Sequence, residues 1–136
     1  MDEERSGPVD ARVPERIRRA TVLVVDDHPE VIALIATVLE AQGHRVLRAS
    51  TVAAARRTLD DEPCDVVLTD INLPGDSGLQ LVSSLRAAGH PASIVLMSGL
   101  PAQDTDEVPH DVAAFLQKPF SLAELTGAVD EALRSR

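Results

Sequence analysis

The sequence predicts an α/β fold: a five-stranded parallel sheet, doubly wound, with helices on both faces. Three observations predict it. Five short strand-like runs recur, at Thr21–Val25, Arg45–Ala49, 66–70, Ser93–Met97 and Val112–Leu116. Stretches with apolar residues at helical spacing alternate with them. The repeats are short, so each strand returns by a right-handed crossover to lie parallel to a neighbour.

The elements follow in order. Residues 1–20 mix both charges with Gly7, Pro8 and Pro14, and read as a flexible arm or linker remnant ahead of a domain at 21–136. Thr21–Val25 is a continuous apolar run, as in a strand buried on both faces, and Asp26-Asp27 follow it. Pro29 opens a helix whose face carries Val31, Leu34, Ile35, Val38 and Leu39, and Gly43 stops it. After Arg45–Ala49, Ser50 is the expected N-cap of a helix over 51–60. Pro63 precedes strand 66–70, which delivers Asp70 to a Pro74-Gly75 turn. A helix over 77–88 ends at Gly89, and Ser93–Met97 ends at Ser98. Residues 101–111 hold two prolines, four acids and no base, so the fourth helix should be short or irregular. Lys118-Pro119 follow the fifth strand. Ser121 and Glu124 form a capping box for a last helix to about Arg134.

Bulk properties bound the function. A chain of 136 residues, 44% hydrophobic, suits one domain with one core. No apolar run approaches the roughly 18 residues of a membrane span, and no signal peptide is visible, so a cytoplasmic protein without membrane association is expected. A net charge of −9 disfavours direct contact with nucleic acid. Cys64, the only cysteine, cannot form an internal disulfide and reads as a semi-buried thiol. His28, His44, His90 and His110 are scattered, and surface positions are expected for all four.

Chemistry concentrates where the strands end, the side on which open parallel sheets bind ligands. Strand one delivers Asp26 and Asp27, strand three Asp70, strand four Ser98 and strand five Lys118. Strand two delivers nothing comparable, as an edge strand would. Crowded carboxylates repel and raise one another's pKa, and a divalent cation relieves this. An all-oxygen set suits Mg²⁺, with Mn²⁺ as a substitute. A carboxylate can accept a phosphoryl group covalently. Ser98 offers a hydrogen-bond donor and Lys118 a compact ammonium. Lys118 is the single lysine beside 12 arginines, which suggests that a forked guanidinium would not fit there.

With VVDDHPE at 24–30, LTDINLPGDSG at 68–78, LMSG at 96–99 and FLQKPF at 115–120, the chain resembles the receiver domain of bacterial two-component response regulators from about Thr21 to Arg134. The resemblance implies a flavodoxin-like sheet of order 2-1-3-4-5 and a self-catalysed phosphoacceptor rather than a turnover enzyme. Asp70 matches the phosphoacceptor. Asp27 and Asp70 match direct Mg²⁺ ligands, Asn72 a ligand through its backbone carbonyl, and Asp26 a ligand through water. Ser98 matches the switching hydroxyl and Phe115 the aromatic switch. Lys118 matches the family's lysine, and Lys118-Pro119 its cis peptide bond. Pro74 and Gly78 fit the acceptor loop. The implied donor is a histidine kinase or histidine phosphotransfer protein. The implied output is a protein-binding face acting on a downstream target or fused domain, reset by weak autodephosphorylation.

Three features depart from the family pattern. Ser98 and Lys118 are 20 positions apart, closer than usual, Phe115 replaces the usual Tyr, and Leu100 is apolar where a polar group is common. Slow to moderate dephosphorylation is expected from Leu100 and Asn72. A stand-alone regulator and a piece of a larger protein, such as a hybrid histidine kinase, both fit. Two other classes remain: a receiver-like module that binds proteins without phosphorylation, and a Mg²⁺-dependent phosphohydrolase turning over through aspartyl phosphate. Such hydrolases usually need an acid two residues after the nucleophile, where this chain has Asn72.

Overall fold

The apolar β-branched runs pair into one parallel sheet of order β2-β1-β3-β4-β5 in the computed structural model, which describes residues 19–101, 108–109 and 111–135. The strands are β1 Thr21–Val25, β2 Arg45–Ala49, β3 Val66–Asp70, β4 Ser93–Ser98 and β5 Ala114–Gln117. The helices are α1 Pro29–Ala41, α2 Val52–Asp61, α3 Gly78–Ala87 and α4 Leu122–Arg134. From β1 the chain crosses one way to β2 and the other way to β3. The carboxyl ends of β1 and β3 therefore flank the point where strand order reverses.

The period-two alternation of each strand divides the core into two apolar layers. Leu23, Val25, Val67, Ile94 and Leu96 face α2 and α3, meeting Val52, Ala55, Leu81 and Leu85. Val22, Val24, Leu68, Val95 and Met97 face the opposite layer of α1 and α4, meeting Ile35, Leu39, Leu125 and Val129. These strand residues are fully buried, so β1, β3 and β4 are anchored from both sides and their carboxyl ends are held rigidly.

Several boundaries differ from expectation. Thr51, not Ser50, caps α2; its Oγ1 accepts from Ala54 N at 3.0 Å. The buried face of α1 is Ile32, Ile35, Ala36 and Leu39, while Leu34 is 58% exposed. Helical spacing assigns a residue to a broad face, and packing against β1 and α4 chooses the stripe within it. β4 continues to Ser98, because Ser98 pairs with Gln117 and its carbonyl accepts from Lys118 N at 2.7 Å. β5 begins at Ala114, two residues late, where pairing with Val95 starts. Just upstream, the Asp111 carboxylate is held by the Arg86 guanidinium of α3. Most of the expected fourth helix, and His110, lie outside the described residues, as does the arm up to residue 18. The Ser121–Glu124 capping box is present, with Glu124 N on Ser121 Oγ at 3.0 Å and Ser121 N on Glu124 Oε1 at 2.8 Å.

Two residues are more buried than expected: Cys64, read as semi-buried, and His44, read as a surface residue. Cys64 is 8% exposed, and its thiol donates to Val66 O at 3.1 Å. His44 is 4% exposed, at the turn between α1 and β2 beside the start of β1. Its Nδ1 accepts from Ala20 N at 3.2 Å. His28 is exposed as expected, but it is not isolated.

Candidate functional site

Asp26 stands one residue beyond β1 and continues its ladder through a bond from Asp26 N to Ala49 O at 3.2 Å. That backbone bond turns the side chain inward, where it is fully buried. Its Oδ2 accepts from Lys118 Nζ at 2.8 Å, and its Oδ1 accepts from His28 N at 2.9 Å. Asp27, next along the extended chain, points outward and keeps a third of its side chain exposed. Asp70 ends β3 and is 5% exposed. Its Oδ2 accepts from Lys118 Nζ at 2.7 Å, and its Oδ1 from Asn72 N at 3.0 Å. One ammonium thus bridges two buried carboxylates from adjacent strands.

The pairing of β5 with β4 brings Lys118 to the same edge, and the Lys118-Pro119 peptide is cis, as expected. Ser98 is 2% exposed, and its Oγ accepts from Leu100 N at 3.0 Å. Phe115 is half-buried, pairs with Leu96 in register, and packs on the α2–α3 layer. Gly78 opens α3 so close to β3 that a Cβ there would lie 2.1 Å from the Asp70 carbonyl oxygen. Only glycine lets the helix start there and hold the acceptor turn through Gly78 N on Ile71 O at 2.7 Å.

Burial alone would raise the Asp26 pKa, but the bonds from Lys118 and His28 outweigh it and hold the carboxyl below its usual value. Crowded carboxylates raise one another in isolation; at Asp26 the bonds from Lys118 and His28 reverse this. Burial would lower Lys118, yet its bonds to Asp26 and Asp70 hold it above the ordinary lysine value. The bond to Asp26, aided by the charges of Asp27 and Asp26, raises His28.

His28 was not expected at the site. Its Nδ1 lies 2.9 Å from Asp26 Oδ1 and 3.2 Å from Asp27 Oδ1. The available signal was its adjacency to Asp26-Asp27, with Pro29 fixing the next turn. One ligand atom each from Asp26, Asp27, His28 and Asp70 falls within 4.8 Å of the others. Oxygen donors of this kind suit a hard divalent cation such as Mg²⁺. Three converging carboxylates fit such an ion.

Residues 22–130 match the family model described as response regulator receiver domain. The transcriptional regulatory protein KdpE of Mycobacterium tuberculosis is 33% identical over 115 residues, 83% of this chain and 50% of KdpE. PrrA of the same organism, also named a transcriptional regulatory protein, is 34% identical over 117 residues, 85% of this chain and 50% of PrrA. The chain thus spans about half the length of these relatives. The crystal structure of the response regulator TrrA of Thermotoga maritima, in complex with Mg²⁺-BeF, superimposes with a TM-score of 0.76 at 27% identity. The match covers 84% of this chain and 99% of TrrA. Among the described residues, no helix is long and apolar enough to cross a membrane. By its fold, its strand-end residues and these matches, the chain belongs to the response regulator receiver domain family.

Proposed function

We propose that Asp70 accepts a phosphoryl group from a phosphohistidine of a histidine kinase or histidine phosphotransfer protein. The observation that carries this is Lys118 Nζ, 2.7 Å from Asp70 Oδ2 and 2.8 Å from Asp26 Oδ2. An Asp70 carboxylate oxygen attacks phosphorus, the P–N bond breaks, and its electron pair leaves with the donor imidazole. Lys118 offsets charge on the phosphoryl oxygens, and Ser98 Oγ exchanges its bond with Leu100 N for one to the phosphoryl group. Asp27, Asp70 and the Asn72 backbone carbonyl would hold Mg²⁺, or Mn²⁺ in its place, with Asp26 contributing through water. When bound, that ion supplies positive charge against the phosphoryl oxygens. The TrrA complex with Mg²⁺-BeF supports this assignment by likeness.

The movement of Ser98 opens space under β4, and Phe115 turns into it. The surface around β5 and α4 is then biased between two states, a population shift driven by new charge. A downstream protein or a fused domain reads it, in a cytoplasmic setting. Water resets Asp70 through weak autodephosphorylation. A phosphohydrolase is disfavoured because Asn72 cannot shuttle a proton.

Acetyl phosphate with Mg²⁺ should add one phosphoryl group to the parent, read by intact mass, and none to Asp70→Asn. A parent that neither phosphorylates nor binds beryllofluoride overturns the proposal.

A further inference from the structure

We propose that His28 is a nitrogen ligand at the carboxylate site, giving it selective affinity for borderline divalent ions such as Ni²⁺, Cu²⁺ and Zn²⁺. This rests on the proposal that Asp26, Asp27 and Asp70 bind a divalent cation. It concerns a residue outside the oxygen set described for Mg²⁺.

The placement of His28 is the first argument. Its backbone is tied at both ends: N donates to Asp26 Oδ1 at 2.9 Å, and O accepts from Val31 N at 3.0 Å and Ile32 N at 3.2 Å. The residue is the N-cap of α1, yet its side chain makes no capping bond. The ring turns instead toward the acids, with Nδ1 at 2.9 Å from Asp26 Oδ1 and 3.2 Å from Asp27 Oδ1. Pro29 follows, so the tether is short and stiff.

Ligand chemistry is the second argument. Carboxylate, carbonyl and water suit Mg²⁺ and Mn²⁺, whereas imidazole suits Zn²⁺, Cu²⁺ and Ni²⁺. One imidazole among three carboxylates therefore adds affinity for the latter ions and little for Mg²⁺. Ligation through Nδ1 takes the neutral ring with its one N–H on Nε2, and a protonated ring first releases its extra proton to solvent. The side chain is 55% exposed, so the ring is accessible and its replacement disturbs no core packing.

All oxygen sites bind Ni²⁺ more tightly than Mg²⁺ to some degree, so the His28 dependence is diagnostic rather than the rank order. Titrations of the full chain with Ni²⁺ and with Mg²⁺, by calorimetry, should be compared for the parent, His28→Ala and Asp27→Asn. His28→Ala should weaken Ni²⁺ by about tenfold or more without weakening Mg²⁺. Asp27→Asn should weaken both ions, which excludes a separate Ni²⁺ site at His90 or His110. In Cu²⁺-loaded protein, pulsed electron paramagnetic resonance should show the remote imidazole nitrogen in the parent and lose it in His28→Ala. Unchanged Ni²⁺ affinity, or an imidazole signal that persists in His28→Ala, overturns the inference. If Mg²⁺ still supports phosphorylation of Asp70 in that case, the inference alone has failed. A parent that binds no divalent ion overturns both.

Discussion

At the scale of single residues, the site depends on two that make no chemistry of their own. Gly78 must lack a Cβ because the Asp70 carbonyl occupies that space. Gly78→Ala pushes α3 away from the acceptor turn and should cost about 1–3 kcal/mol, seen as a lower urea midpoint. An unchanged midpoint would mean that the turn yields freely. Leu100 is the second: its N–H holds Ser98 Oγ, while its side chain is 53% exposed beside the site. A carboxylate there can orient an attacking water, so Leu100→Glu should speed loss of label from phosphorylated protein. An unaltered decay rate counts against Leu100 as a determinant of phosphoryl lifetime.

At the scale of elements, the join between β1, β2 and α4 contains a titratable core residue. Burial, the largest influence, pushes His44 below its ordinary value of 6.5, against the opposing charges of Asp130 and Asp65. Below pH 6.5 the unfolded chain takes up a proton that folded His44 resists. This contribution is therefore complete above pH 6.5 and declines as pH falls from there toward the folded pKa. His44→Asn keeps an acceptor for Ala20 N–H but cannot titrate. The difference in unfolding free energy between parent and variant should shift against the parent between neutral pH and pH 5. A difference that does not vary with pH would show that His44 titrates normally. His44 and Leu34 also mark the limit of local inference. Both sit where periodicity and polarity suggest one environment, and neighbouring elements impose another.

At the scale of the whole molecule, Lys118 joins three strands, bonding to carboxylates 92 and 48 positions away in the chain. Lys118→Met leaves Asp26 and Asp70 buried and short of a cation. In chelator this should lower unfolding free energy by about 2 kcal/mol. Added Mg²⁺ should then stabilise the variant more than the parent, because it becomes the main remaining counter-charge. Thermal melts with and without Mg²⁺ measure this, and an equal Mg²⁺ effect on both proteins would separate Lys118 from the cation site.

The sequence by itself determined the strands, most helix ends and the candidates Asp26, Asp27, Asp70, Ser98 and Lys118. Each rests on local physics: an alternating or continuous apolar run, a cap, or a polar residue at the end of a strand. Parallel winding then requires those ends to share one edge. Only the tertiary structure decided that Lys118 bridges Asp26 and Asp70, that His28 turns toward the acids, and that His44 is buried. These outcomes depend on the distance between side chains brought together by folding, and charge and burial act through that distance.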